Sequence, residues 1–403
     1  MASNTKARRL TRVNARSGDA AASSPQRGGI GKGKLLGAAA VLAIAATLGV
    51  LVATGTLSTP ASNLRPLSSS DISRVAYFEF GINADTLYLA DPAQPEGRQK
   101  LLVLPHAHDF GVVPALAPDG RSFAFTSLQP NLKAPSPETP ADLWLAALER
   151  NPEPVLLTRA IDLLVPAIWS PDGESLVFRR SRAPTPERPG EFRLFSIDTA
   201  TTTEQELAYS ETTALFPVGF SANSARLYYV ELGFDGSRLG AVDVESGVRT
   251  SVAVLSDGIT RDWALSPAGD KLAYLVMDLT AGVISSRAQV ADIASGKVTA
   301  AGIEGDAFSP RWTSSGQLVL GTTADVGASG VIAEINAIVL PPPERGFDVP
   351  LASSSADGSI AVRAFDGVSA MSPGRSTLAV LSQDGARTTI ASGEVTFLGW
   401  INP

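Results

Sequence analysis

No cysteine occurs among the 403 residues of this chain, and only two residues are histidine. Without thiols there is no disulfide framework, no thiolate zinc site, no cysteine nucleophile and no N-terminal cysteine for lipid attachment. Two histidines leave little material for imidazole-based metal or acid–base chemistry. Two catalytic signatures are also missing: the Gly-x-Ser-x-Gly elbow of the hydrolases and the G-x-x-x-x-G-K-[ST] phosphate loop. What remains is a chain that is 44% hydrophobic and 18% charged, with 36 glycines and 28 prolines. It is long enough for two or three domain-equivalents or for one large repeat fold.

The formal charge of −7 is the sum of two opposed parts. Residues 1–34 hold eight of the 33 basic residues and one of the 40 acids, so the remainder carries 25 against 39, a net of −14. Phosphate contacts demand local positive charge, which argues against nucleic acid or anionic lipid as the partner of that acidic body. Residues 1–34 are polar, rich in Gly, Ser and Ala and lack apolar periodicity, so they read as a disordered basic tail. Leu35–Leu57 then runs for 23 residues without a charge, long enough to cross a bilayer as a helix. The basic residues all precede it, which keeps the N-terminus cytoplasmic and places everything after Leu57 outside, in the periplasm or extracellular space. A cleaved signal peptide is the rival reading, although its apolar stretch is normally 7–15 residues. Residues 58–74 are expected to form a stalk.

From residue 75 to 403 one unit recurs: a short apolar run, a Pro-Asp-Gly-like turn and a second apolar run. The copies include VVPALAPDGRSFAF (112–125), LVPAIWSPDGESLVF (164–178), LFPVGFSANSARLYYV (215–230) and TRDWALSPAGDKLAYLV (260–276). Two more are FSPRWTSSGQLVL (308–320) and DVPLASSSADGSIAV (348–362). The turn positions Gly120, Gly173, Ser224, Gly269, Gly316 and Gly358 are 53, 51, 45, 47 and 42 residues apart. Short strands at a period of 40–50 residues mark propeller blades. In the turn, Pro fixes φ, Asp bonds to the backbone ahead and Gly supplies the positive φ that closes a hairpin.

Third strands are expected at 87–91, 143–148, 193–198, 239–244, 288–293, 332–337 and 378–384; no fourth strand is placed between Asn336 and Val349. The chain ends in VTFLGWINP (395–403), an opening strand without its hairpin, and the unit begins at VAYFEF (75–80), a second strand without an opening one. Joining the two completes a ring and removes the free sheet edges. The expected fold is all-β: a seven-bladed β-propeller of four-stranded blades closed by N- and C-terminal strands, preceded by one transmembrane helix.

These units resemble the WD40-like repeats of the TolB-type propeller family, whose motif is close to W-S-P-D-G followed by an aromatic strand. Trp169-Ser170-Pro171-Asp172-Gly173 is the fullest match, and the resemblance covers residues 75–403. It implies a propeller and is poor for function, because such repeats serve envelope scaffolds, peptidase gating domains and some lyases. TolB itself looks like a six-bladed propeller with a separate α/β domain; here an apolar segment stands in that domain's place, so a Tol-system role does not carry over.

Loops joining second to third strands, and fourth strands to the next opening strand, emerge on one face of a propeller, the expected binding face. Two Pro-rich insertions fall there, 127–142 and 179–192, the second carrying Arg179, Arg180, Arg182 and Arg188. Every loop leading into an opening strand carries an acid: Asp109, Asp162, Glu211, Asp257 with Asp262, Glu304 with Asp306, Asp348 and Glu394. If these ring one mouth of the channel, cations or a basic partner segment are favoured; ordinary loop polarity is the competing account. His106-Ala107-His108-Asp109 offers an H-x-H pair and a carboxylate to a metal, but the larger His set of the oligogalacturonate lyases, which share related repeats, cannot be assembled from two histidines. Trp144, Trp169, Trp263, Trp312 and Trp400 read as core. The leading expectation is a membrane-anchored extracytoplasmic protein-interaction module of the cell envelope, without catalytic residues or cofactor. The alternatives are a small-molecule, glycan or cation-binding domain at the channel mouth and, behind it, a lyase or hydrolase.

Overall fold

The computed structural model describes residues 73–402 apart from 186, 281–282, 301–306, 323–329, 333–334, 336, 342, 355 and 368–371. The basic tail, the apolar segment 35–57 and the stalk through residue 72 lie outside the described residues, as do Glu304 and Asp306. Among the described residues no helix is long and apolar enough to cross a membrane.

Seven four-stranded sheets make up the fold, which contains no α-helix among the described residues. We number the blades by their opening strands: Val395–Ile401 (blade 1), Val113–Leu116 (2), Ile168–Trp169 (3), Ala214–Phe220 (4), Thr260–Leu265 (5), Ala307–Trp312 (6) and Phe347–Ser353 (7). Each opening strand contacts the opening strands before and after it, and blade 7 meets blade 1, so these seven strands encircle the axis.

The hairpin after each opening strand forms for the reason its residues suggest. Gly120, Gly173, Gly269, Gly316 and Gly358 all have φ between 66° and 79°, and Ser224 adopts 59° in the same place. The turn acid accepts a backbone N–H two residues on, Asp119 from Arg121 at 2.9 Å and Asp172 from Glu174 at 3.0 Å. Ser170 closes the W-S-P-D-G turn: its hydroxyl donates to Asp172 at 2.5 Å and accepts the Ser175 N–H at 3.0 Å. Side chains then alternate across each sheet so that both faces are apolar, and each face packs on the next blade. An apolar cluster fills every seam. Phe78, Leu87 and Phe123 join blades 1 and 2, and Leu194, Leu227 and Tyr229 join 3 and 4. Tyr77, Leu378, Phe397 and Trp400 join 7 and 1. Three tryptophans add a directional bond, each donating its indole N–H to the opening strand of the preceding blade: Trp169 to Ala115 O (3.0 Å), Trp312 to Ala264 O (2.9 Å) and Trp400 to Ala352 O (3.2 Å).

Closure occurs as the repeat arithmetic requires. Val395–Ile401 pairs antiparallel with Arg74–Glu79, setting Val75 opposite Trp400 and Tyr77 opposite Phe397. Ser73 donates to Asn402 Oδ1 at 2.8 Å and accepts from Ser354 of blade 7 at 3.1 Å. Blade 6 departs from expectation. The strand beside Leu318–Thr322 is Ala337–Val339, running parallel to it, and Gly330–Ile332 lies outside that, so 332–337 is not the third strand. The apolar run Ala337-Ile338-Val339-Leu340 provides the reason: Ala337, Val339 and Leu340 are at most 3% exposed, and Ala337 packs on Leu318 and Leu320.

Candidate functional site

The face bearing the second-to-third loops exposes three large apolar side chains. Ile82 lies between Arg74–Glu79 and Ala84–Asp91, Leu132 in the 128–140 insertion and Phe234 at the tip of the blade 4 hairpin. Phe234, 71% exposed, is the most exposed large apolar residue described. Beside Ile82, the Ile82 carbonyl accepts the Asp109 N–H at 2.9 Å, and His108 Nδ1 lies 3.1 Å from Asn83 Oδ1.

The second insertion is shorter than its composition implied. Arg179, Arg180 and Arg182 belong to the strand Ser175–Arg182, which pairs with Glu191–Asp198; only Arg188 of the four is in the connecting loop. Each of these three guanidiniums meets a carboxylate. Arg179 pairs with Asp162, Arg180 with Glu204 at 2.6 Å and Arg182 with Glu191 at 2.5 Å. Arg179 also donates to Leu215 O at 3.3 Å and lies over the Phe216 ring at 4.5 Å, spanning the seam from blade 3 to blade 4.

The acids leading into the opening strands fall into different surroundings. Asp109, Glu211, Asp257 and Glu394 are exposed. Glu211 accepts the Tyr209 hydroxyl at 2.9 Å. Asp162 is held by Arg179 and by the Ser181 N–H at 2.9 Å. Asp348 is 1% exposed against Arg387; burial lifts its carboxyl above the ordinary range, and Arg387 offsets part of that rise. Asp262 lies 3.7 Å from Arg261 and its charge also reaches Arg311, whose guanidinium is disfavoured by burial. Arg363 is disfavoured in the same way, with Glu394 as its counter-charge. Arg261, Arg311, Arg363 and Arg387 are not distinguished by sequence, because an arginine inside a strand reads as one of its solvated positions. Partial burial marks the first three, whereas Arg387 is exposed and is marked by its ion pair with the buried Asp348.

His106 and His108 do not converge. His106 is buried, stacked on Phe80 at 5.8 Å between centroids, and both ring nitrogens are engaged: Nδ1 with Ala107 O at 2.8 Å and Nε2 with Asp85 Oδ1 at 3.0 Å. Burial pulls the imidazole down, but the bonds to Asp85 and Ala107 outweigh it and hold it above its ordinary value. Asp85 also accepts the Val112 N–H at 2.8 Å and the Gly81 N–H at 3.2 Å, so the pair pins the entry to blade 2 against blade 1. His108 faces solvent with Asp109 at 3.4 Å. Among the described residues no group of three His, Asp or Glu side chains gathers into a metal-binding set.

No protein-family model and no curated protein matches this chain. Solved structures do match it. A prolyl endopeptidase aligns with TM-score 0.54 and 17% identity, over 88% of this chain and 52% of that protein's length. An oligogalacturonate lyase from Vibrio parahaemolyticus aligns with TM-score 0.51 and 11% identity, over 78% of this chain and 92% of the lyase. TolB from Acinetobacter baumannii gives 0.49 at 16% identity, over 82% and 67%. At these identities the likeness is one of fold.

Proposed function

We propose that this chain is a membrane-anchored propeller of the cell envelope, held by Leu35–Leu57 with its N-terminus inside, whose extracytoplasmic ring binds another protein. The observation that carries the reading is the placement of three exposed apolar side chains, Ile82, Leu132 and Phe234, on second-to-third loops of blades 1, 2 and 4, which open on one face and offer a partner apolar points of contact there. The strand order agrees with it. Arg74 pairs with Ile401, at the end of the opening strand, so the chain enters the ring from the face of the Pro-Asp-Gly-like turns. A stalk joined there leaves the apolar face directed away from the bilayer and open to a partner. A binding role also suits loops of different length mounted on a rigid ring.

The test is purification of the full chain from membranes in mild detergent, with Phe234→Asp and Leu132→Asp as variants. A stoichiometric partner is expected with the wild type and is reduced at least tenfold by Phe234→Asp, whose burial in an interface would desolvate a charge. A partner retained equally by both variants, or a chain that leaves the membrane in a salt wash, overturns the reading.

A further inference from the structure

Phe234 combines the greatest exposure of any large apolar side chain described with a backbone that is gripped from both sides. It sits with Asp235 at the tip of the hairpin formed by Arg226–Gly233 and Gly236–Asp243, whose last paired residues are Gly233 and Gly236. A Cβ on Gly233 would lie 3.0 Å from the methyl of Thr213, in the loop entering blade 4. One on Gly236 would lie 2.2 Å from the carbonyl oxygen of Ser256, at the end of the fourth strand. Gly236 also holds φ at 110°, a value that side-chain-bearing residues rarely adopt. Ser237 completes the clasp by donating its hydroxyl to the Gly258 carbonyl at 2.8 Å. A two-residue tip held in this way fixes the position of Phe234, so a partner that buries the ring has little left to order on binding.

A second apolar point and a one-sided charge accompany the ring. Val254, 58% exposed, stands opposite Arg238 on the adjacent strand, and Arg238 reaches Asp235 beside Phe234 at 2.9 Å. Asp257 is exposed, and its Cα would lie 2.8 Å from a Cβ on Gly236. Asp278 follows Met277, whose N–H donates to the Ile259 carbonyl at 2.9 Å just beyond Asp257. Every charged residue of segments 233–238, 256–259 and 277–278 is described, and they are these three acids against one arginine. Arg261 and Asp262, next along the chain, cancel each other.

We propose that the tip and fourth strand of blade 4 are the anchor of the partner surface, with Phe234 and Val254 entering an apolar pocket that the partner rims with lysine or arginine. This rests on the reading of the ring as a protein-binding module and names the chemistry of what it binds. The acids favour that occupant over a second copy of this chain, because a two-fold contact between identical faces would set Asp235 and Asp257 against their own copies. The division of labour follows: the buried ring sets how long the complex lasts, and the acids set how fast and with whom it forms.

The test isolates the protein retained by the wild-type chain in mild detergent and measures its rebinding to the full chain at low and at high salt. Phe234→Ala, Asp257→Lys and Leu132→Asp are compared, with circular dichroism to check the fold of each. Phe234→Ala is expected to raise the dissociation rate about tenfold or more. Asp257→Lys is expected to slow association about fivefold or more and to flatten its dependence on salt. Either effect alone, in a folded variant, leaves half of the pocket assignment standing and overturns the other half. Binding that Leu132→Asp abolishes but Phe234→Ala and Asp257→Lys leave unchanged overturns the anchor while the protein-binding reading stands. Retention of no protein by the wild type overturns both, and retention of only a second copy of this chain overturns the basic pocket.

Discussion

At the scale of single residues, the ionic pairs of this propeller hold loops to blades. The His106–Asp85 pair is the most enclosed of them, with side chains 0% and 4% exposed. Both imidazole nitrogens face acceptors, an arrangement that requires the doubly protonated ring. Asp85→Asn keeps an acceptor for the Val112 N–H but removes the counter-charge, and should cost about 3 kcal/mol, measured by urea unfolding of the full chain. The pH dependence follows from the direction of the shift. Folded His106 holds its proton above the ordinary value of 6.5, so its contribution is complete below that value and is lost as pH rises through the folded one. Wild-type stability should therefore decline as the pH is raised from 6.5, and Asp85→Asn should flatten that decline. An equal slope in both proteins would remove His106 as the cause.

At the scale of elements, local chemistry could be read from the sequence and distant pairing could not. The hairpins were legible because a Pro-Asp-Gly-like turn is settled within five residues, and even Ser224 follows the φ of the glycines it replaces. The parallel strand Ala337–Val339 was not legible, since its partner Leu318–Thr322 is set by which apolar residues reach the seam. The candidate site divides in the same way. Asp109, Asp162, Glu211, Asp257 and Glu394 could be placed in loops by spacing alone, but Asp262 and Asp348 lie inside the opening strands Thr260–Leu265 and Phe347–Ser353. Arg387 facing Asp348, or Arg261 and Arg311 around Asp262, depends on packing between strands and blades. Tryptophan illustrates the boundary between the two. W-S-P-D-G signals a turn, but only the ring shows that the indole of Trp169 reaches back to the Ala115 carbonyl. Trp169→Phe should preserve most of the apolar packing and lose that bond, lowering stability by about 1 kcal/mol. Phe220 occupies the matching place in blade 4, so Phe220→Leu, which removes no donor, is the control for packing alone. A Trp169→Phe variant as stable as the wild type would mean that the indole bond contributes nothing to the seam.

At the scale of the whole molecule, the ring exists because its two ends share a sheet. Val395–Ile401 supplies the opening strand that Arg74–Glu79 lacks, and its removal would leave Val75, Tyr77 and the blade 7 residues Leu378 and Val380 without their cover. It would also expose a sheet edge next to the axis, where backbone N–H and C=O groups of a second molecule can pair. Closure is the longest-range contact in the described fold, with Ser73 and Asn402 separated by 329 positions in the sequence, so it rewards the chain only after every blade is in place. Deleting residues 395–403 is therefore expected to do more than subtract one strand. The truncated chain should lose its single cooperative transition, unfold first in blades 1 and 7 by hydrogen exchange, and form oligomers on sizing columns. Adding a peptide of residues 394–403 should reverse both effects by restoring the missing strand in trans. If the truncated chain unfolds in one transition at the wild-type midpoint, blade 1 does not depend on its C-terminal strand, and the seam clusters alone hold the ring shut.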